Sequence, residues 1–118
     1  KPLVIIVLAN DKTKFGAYLS EGLKKSRSFY GTGETFVFTY NPLLSVYKWT
    51  SKNTYFVSAS QDEISVGNSK KGGAAFYIGE SMATGFSDPC DTFGSPRLSA
   101  EPHFKVIDVE VWSVETSV

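Results

Sequence analysis

Apolar residues fall in short runs separated by turn-forming clusters, and no stretch of a dozen residues repeats with the 3.6-residue period of an amphipathic helix. Leu3 to Ala9 is continuously apolar and rich in β-branched residues, which predicts a central strand buried on both faces. After the polar turn 10–14, the run Phe15 to Leu19 makes the second arm of an antiparallel hairpin, with Gly16 as a candidate bulge. Residues 20–27 hold one large apolar side chain, Leu23, and read as a surface connection of about one helical turn. Its basic residues Lys24, Lys25 and Arg27 read as a solvated loop rather than an anion site.

The chain is organised around Ser28 to Tyr40, where a Gly-Thr-Gly turn carries Glu34 into an aromatic strand with Phe36, Phe38 and Tyr40 on one face. Downstream, strand character recurs at Ser45 to Thr50, Tyr55 to Ser58, Ile64 to Val66 and Ala74 to Ile78. Turn signals separate these runs: Asn41-Pro42, Lys52-Asn53, Gln61-Asp62-Glu63 and the glycine-rich segment 67–73. Residues 84–94 are dense in turn formers around Cys90, and Phe104 to Val114 is a long alternating strand whose phase changes between Val106 and Ile107. Eight or so short strands predict a mainly β domain. Two antiparallel sheets packed as a sandwich, with a few short peripheral helices, would hide these faces most simply.

Composition narrows the function classes. A length of 118 residues suits one domain, and 14% aromatic residues supply a core. Twelve basic and twelve acidic residues cancel, so no overall field attracts nucleic acid or anionic lipid. Direct membrane insertion is not expected, because the longest apolar run is far too short for a spanning helix. One cysteine cannot form an internal disulfide, which fits a reducing, cytoplasmic setting. The start at Lys1-Pro2, directly before a strand, suggests a domain lacking its N-terminal part, and an edge left by that truncation could pair with another chain.

Candidate chemistry is sparse. GTGE, residues 31–34, lacks the third glycine of a dinucleotide loop and the Lys-Ser/Thr of a phosphate loop. Cys90 and His103, each the sole residue of its type, are the only possible thiol–imidazole pair, and Cys90 otherwise reads as a small core residue. A metal site would need further ligands from scattered carboxylates, so neither metal nor cofactor is expected. Glu34, Asp62, Asp88 and Asp91 could supply paired carboxylates, and Asp62 could instead accept N–H bonds in its own turn. No G-x-S-x-G elbow is present.

YGTGETFVFTY, VYKWT, DEISVG, PCDTFG and IDVEVWSV occur in the order found in the TLDc domain, which the chain resembles from about Leu3 to Val114. By position, Gly31, Thr32, Gly33 and Glu34 match its GTGE motif, Asp62 and Gly67 its D-x-x-x-x-G segment, and Cys90, Thr92 and Phe93 its C-x-T-F. Segment 67–73, ending in Gly72 and Gly73, departs from the family's glycine run, and Ser87-Asp88-Pro89 replaces a His that many members carry near the cysteine. The family's helical lead-in is missing. The resemblance implies a β-sandwich, a non-catalytic interaction domain linked to protection against oxidative stress, and binding to the vacuolar-type proton ATPase on organelle membranes. Two other readings are a thiol antioxidant acting through Cys90 and a hydrolase built on Glu34 and Asp62.

Overall fold

The computed structural model describes residues 1–40, 43–69 and 73–115. They form ten strands: β1 (Leu3–Ala9), β2 (Lys14–Leu19), β3 (Ser26–Tyr30), β4 (Phe36–Tyr40), β5 (Leu44–Lys48), β6 (Val57–Ala59), β7 (Ile64–Val66), β8 (Phe76–Gly79), β9 (Thr84–Phe86) and β10 (His103–Ser113). All neighbouring pairs are antiparallel, in the order β3-β6-β7-β8-β9-β10-β1-β2-β4-β5. The mainly β expectation holds. The sandwich of two separate sheets with peripheral helices is corrected to one open sheet, and no helix occurs among the described residues.

The reason for a single sheet lies in β10. Its first residues, His103 to Lys105, pair with β9, while Val106 to Ser113 pair with β1, so eleven residues join both sets of strands. Between them the register slips: Leu8 faces Asp108 but Ala9 faces Val106, which leaves Ile107 as a bulge and accounts for the phase change seen in the sequence. The sheet folds over so that β2 meets β8 across the interior. Phe15 lies 5.3 Å from Phe76 and 5.3 Å from Phe104, ring centre to ring centre.

Alternation decides what enters this core. Ile5, Val7 and Ala9 of β1, Phe15, Ala17 and Leu19 of β2, and Val37 of β4 are buried against Val57, Val66, Phe76 and Ile78 from the other half. β1 is fully buried on this face only, since Val4, Ile6 and Leu8 are half-buried. Phe36, Phe38 and Tyr40 do share a face, but it is the outer one, where Phe36 stacks on Tyr18 at 5.2 Å. Gly16 is not a bulge: it sits in regular register opposite Ile6, and a Cβ there would stand 1.9 Å from the Ile5 carbonyl oxygen. Residues 20–25 form a turn without a helix, and β3 and β9 occupy stretches with too few apolar residues to announce a strand.

One carboxylate ties the β1–β2 turn to the approach to β10. Asp11 accepts from the Thr13 backbone (3.0 Å) and hydroxyl, and its other oxygen accepts from the Glu101 N–H at 3.0 Å. Burial raises the carboxyl's pKa, but these hydrogen bonds outweigh it and hold the group below its ordinary value of 3.8.

Two outcomes follow for stability. Phe15→Ala should cost about 3–5 kcal/mol in urea unfolding, whereas Tyr40→Ala, at an exposed outer position, should cost under about 1 kcal/mol. Because the folded pKa of Asp11 is depressed, its contribution is complete above pH 3.8 and is lost as pH falls through the folded value. Asp11→Asn should therefore flatten the acid limb of a stability–pH curve and leave its slope near neutrality unchanged.

Candidate functional site

Four loops, 31–34, 49–54, 67–69 and 90–95, meet at the end of the sheet where β3 leads into β4, and Trp49 begins the second of them. A Cβ on Gly33 would come within 2.3 Å of the Trp49 ring, so only glycine lets the 31–34 turn lie against the indole. The indole N–H donates to the Asn53 carbonyl at 2.7 Å, and the ring meets Phe56 edge-on at 5.5 Å. Ser20 anchors the turn from β2: its hydroxyl accepts from the Thr32 N–H at 3.0 Å and lies 3.0 Å from the buried Thr35 hydroxyl.

Thr92, on the 90–95 loop, holds the 49–54 and 67–69 loops to its own. Its buried hydroxyl accepts from the Asn68 N–H at 3.0 Å, with Asn53 Oδ1 at 2.7 Å and the Asn68 carbonyl at 2.9 Å as acceptors for its single proton. Asn53 Nδ2 donates to the same Asn68 carbonyl at 3.1 Å. Thr50 adds a clamp, donating its hydroxyl to the Asp91 carbonyl at 2.7 Å and its N–H to the Thr92 carbonyl at 3.0 Å. The Asp91 N–H donates to Ser69 Oγ at 2.9 Å. Beneath this network Gly67 has φ of +76°, and a side chain there would strike Cys90 Sγ at 2.6 Å and the Phe93 ring at 3.0 Å.

The structure thus gathers Gly31, Thr32, Gly33, Glu34, Gly67, Cys90, Thr92 and Phe93 at one end of the fold. Glu34 is exposed, and its N–H is met by the Thr32 hydroxyl at 3.3 Å. Asp62 lies elsewhere. β3 runs antiparallel to β6 with Tyr30 beside Val57, so Glu34 lies past one end of that pair and Asp62, beyond Ala59, past the other. The turn holding Asp62 is closed by the Ser60 N–H, which donates to the Glu63 carbonyl at 2.9 Å. Gly73 is buried against Asp88 and Pro89, while Gly72 falls outside the described residues.

Chemically, the arrangement is a surface of loops cross-linked by hydrogen bonds. Cys90 is 2% exposed, with its thiol 3.7 Å from the Asn68 carbonyl. His103 packs edge-on against Phe86 at 6.1 Å on the outer face of the sheet, so the sole imidazole is not beside the sole thiol. No cluster of three or more metal-ligating side chains occurs among the described residues. Sequence reading missed Ser20, Thr50, Asn53 and Asn68 as members of this site. The only local signal was the turn preference of the asparagines, because the partners that bring these four residues into the site lie 12 to 42 residues away.

Thr92→Val keeps the shape and removes the hydroxyl, leaving the Asn68 N–H without its acceptor. The substitution should cost about 1–3 kcal/mol and speed amide exchange at Asn68. Cys90 should react with a thiol reagent only as fast as the fold opens, and addition of urea should bring full labelling.

Comparison of the sequence with known proteins matches it to a family. The model of the TLDc domain matches residues 1–115. Oxidation resistance protein 1 of Homo sapiens is 40% identical over 114 residues, covering 97% of this chain and 13% of that protein. Its counterpart in Xenopus laevis gives the same values, and nuclear receptor coactivator 7 of Gallus gallus is 35% identical over 116 residues, covering 97% of this chain and 12% of its own length. The chain thus spans about an eighth of the length of the curated relatives it matches. Matched along nearly all its length, the chain belongs to the TLDc domain family.

Proposed function

We propose that this chain is a non-catalytic interaction domain that contributes to protection against oxidative damage by binding and regulating the vacuolar-type proton ATPase from the cytoplasmic side. The observation carrying this reading is the Thr92–Asn68–Asn53 network together with the packing of Gly33 on Trp49, which hold four loops in one preformed surface while leaving Thr32, Gly33, Glu34, Lys52 and Asp91 exposed. A preformed surface loses little conformational entropy on docking, which favours recognition of a folded partner. Supporting the protective role are the relatives named oxidation resistance protein 1. The buried Cys90 makes sacrificial thiol oxidation the poorer account, and the separation of Glu34 from Asp62 removes the basis for a hydrolase.

The test is binding to the soluble sector of the proton ATPase, with ATP hydrolysis followed in the same samples. Charge reversal at Glu34 and Asp91 should weaken binding about tenfold or more and leave the folded state intact by circular dichroism. Unchanged binding by that double variant would remove this surface from the interaction, and absence of binding by the parent chain would overturn the assignment of the pump as partner.

A further inference from the structure

The open sheet has two edges, and they are built differently. Edge strand β3 carries the usual protections: its pairing with β6 is irregular between Ser26 and Tyr30, Arg27 lies on it and Lys24 and Lys25 precede it, and Ser26 Oγ turns back to the Ser28 carbonyl at 2.7 Å. Edge strand β5 has none of these beyond a single charge. Its five residues pair with β4 without interruption, from Phe36 opposite Lys48 to Tyr40 opposite Leu44, and it contains no proline. Among the described residues, one group of large exposed apolar side chains lies on or beside this edge, with Leu43 79%, Leu44 61%, Tyr40 50% and Val46 41% exposed; a second, Ile107, Val111 and Trp112, lies on β10, an interior strand with β9 and β1 as its neighbours in the sheet.

We propose that β5 pairs antiparallel with β5 of a second copy about a two-fold axis at Val46, giving one continuous sheet through both chains. An open edge of unpaired N–H and C=O groups recognises an extended strand, and three features select this chain's own. In this register Val46 faces Val46, Ser45 faces Tyr47 and Leu44 faces Lys48, so the strand's only charge avoids its counterpart and its alkyl stem covers an exposed leucine. Leu44 and Val46 lie on the face of Phe38 and Tyr40, so the apolar stripe continues across the seam. Finally, each copy has one unprotected edge, and a two-fold contact uses both and closes the assembly at two. The 49–54 loops then lie at opposite ends of the seam and both candidate surfaces stay open.

Sedimentation equilibrium of the 118-residue chain between about 1 µM and about 1 mM should show a monomer–dimer equilibrium. Val46→Lys would place two ammonium groups face to face on the axis and should abolish the dimer, whereas Trp112→Lys, on the outer face of the distant β10, should not. With Cys90 buried, Val46→Cys should form a disulfide-linked dimer under mild oxidation, and Leu44→Cys should not, because the two-fold register sets the Leu44 positions four residues apart along the seam. A chain monomeric throughout the range would overturn the proposal and leave the edge to a strand of another protein. Loss of the dimer in Trp112→Lys with its retention in Val46→Lys would overturn it in favour of face-to-face stacking.

Discussion

The contact between Phe15, Phe76 and Phe104 decides the shape of the molecule. An open sheet of ten short antiparallel strands has no intrinsic reason to bury one of its faces until it folds over. These three rings come from β2, β8 and β10, on both sides of the fold line, and meet at 5.3 Å in tilted and edge-on geometries that favour aromatic pairs. Once they touch, every second residue of β1, β2, β6, β7 and β8 has a dry partner opposite. Remaining features, including the outward face of β4 and the exposed edge of β5, follow from which side of the sheet this contact encloses.

Closure also explains where the turns singled out in the sequence end up. Loops 31–34, 49–54, 67–69 and 90–95 are brought together by strands whose order in the sheet differs from their order in the chain. They are fixed there by polar side chains rather than by apolar bulk. Thr92, fully buried and with its hydroxyl both donating and accepting, acts between Asn53 and Asn68 as the interior anchor of an otherwise solvent-facing region. Trp49 provides the complementary apolar surface, flat enough for a glycine turn to lie against it.

Strands with β-branched or aromatic alternation were legible without coordinates: β1, β2, β4, β7 and much of β8 and β10 stand where Leu3 to Ala9, Phe15 to Leu19, Phe36 to Tyr40, Ile64 to Val66, Ala74 to Ile78 and Phe104 to Val114 placed them. Two strands were not. Ser26–Tyr30 opens with three polar residues and shows no apolar alternation, and Thr84–Phe86 is three residues long, so neither displays a period. The number of sheets was illegible for a different reason: whether two halves are separate depends on one strand having partners at both ends, which composition does not encode. In the site, glycines 31, 33 and 67 and Thr92 were visible as a pattern, while Asn53 and Asn68 acquire meaning only once a threonine from far along the chain is placed between them.

The partnership of β1 with β10 sets a condition on how the chain can be made. Leu3 faces Ser113 and Val7 faces Val109, so β1 completes its hydrogen bonding only with β10, which is synthesised after it. Until then β1 has β2 alone as a neighbour, and Ile5, Val7 and Phe15 have only part of their enclosure. Folding in such a topology is governed by a late, long-range closure, which makes it slow relative to chains rich in local contacts. Synthesis thus passes through a period in which an apolar hairpin waits for its partner, and shielding of that hairpin during translation becomes part of what the sequence requires of its cell.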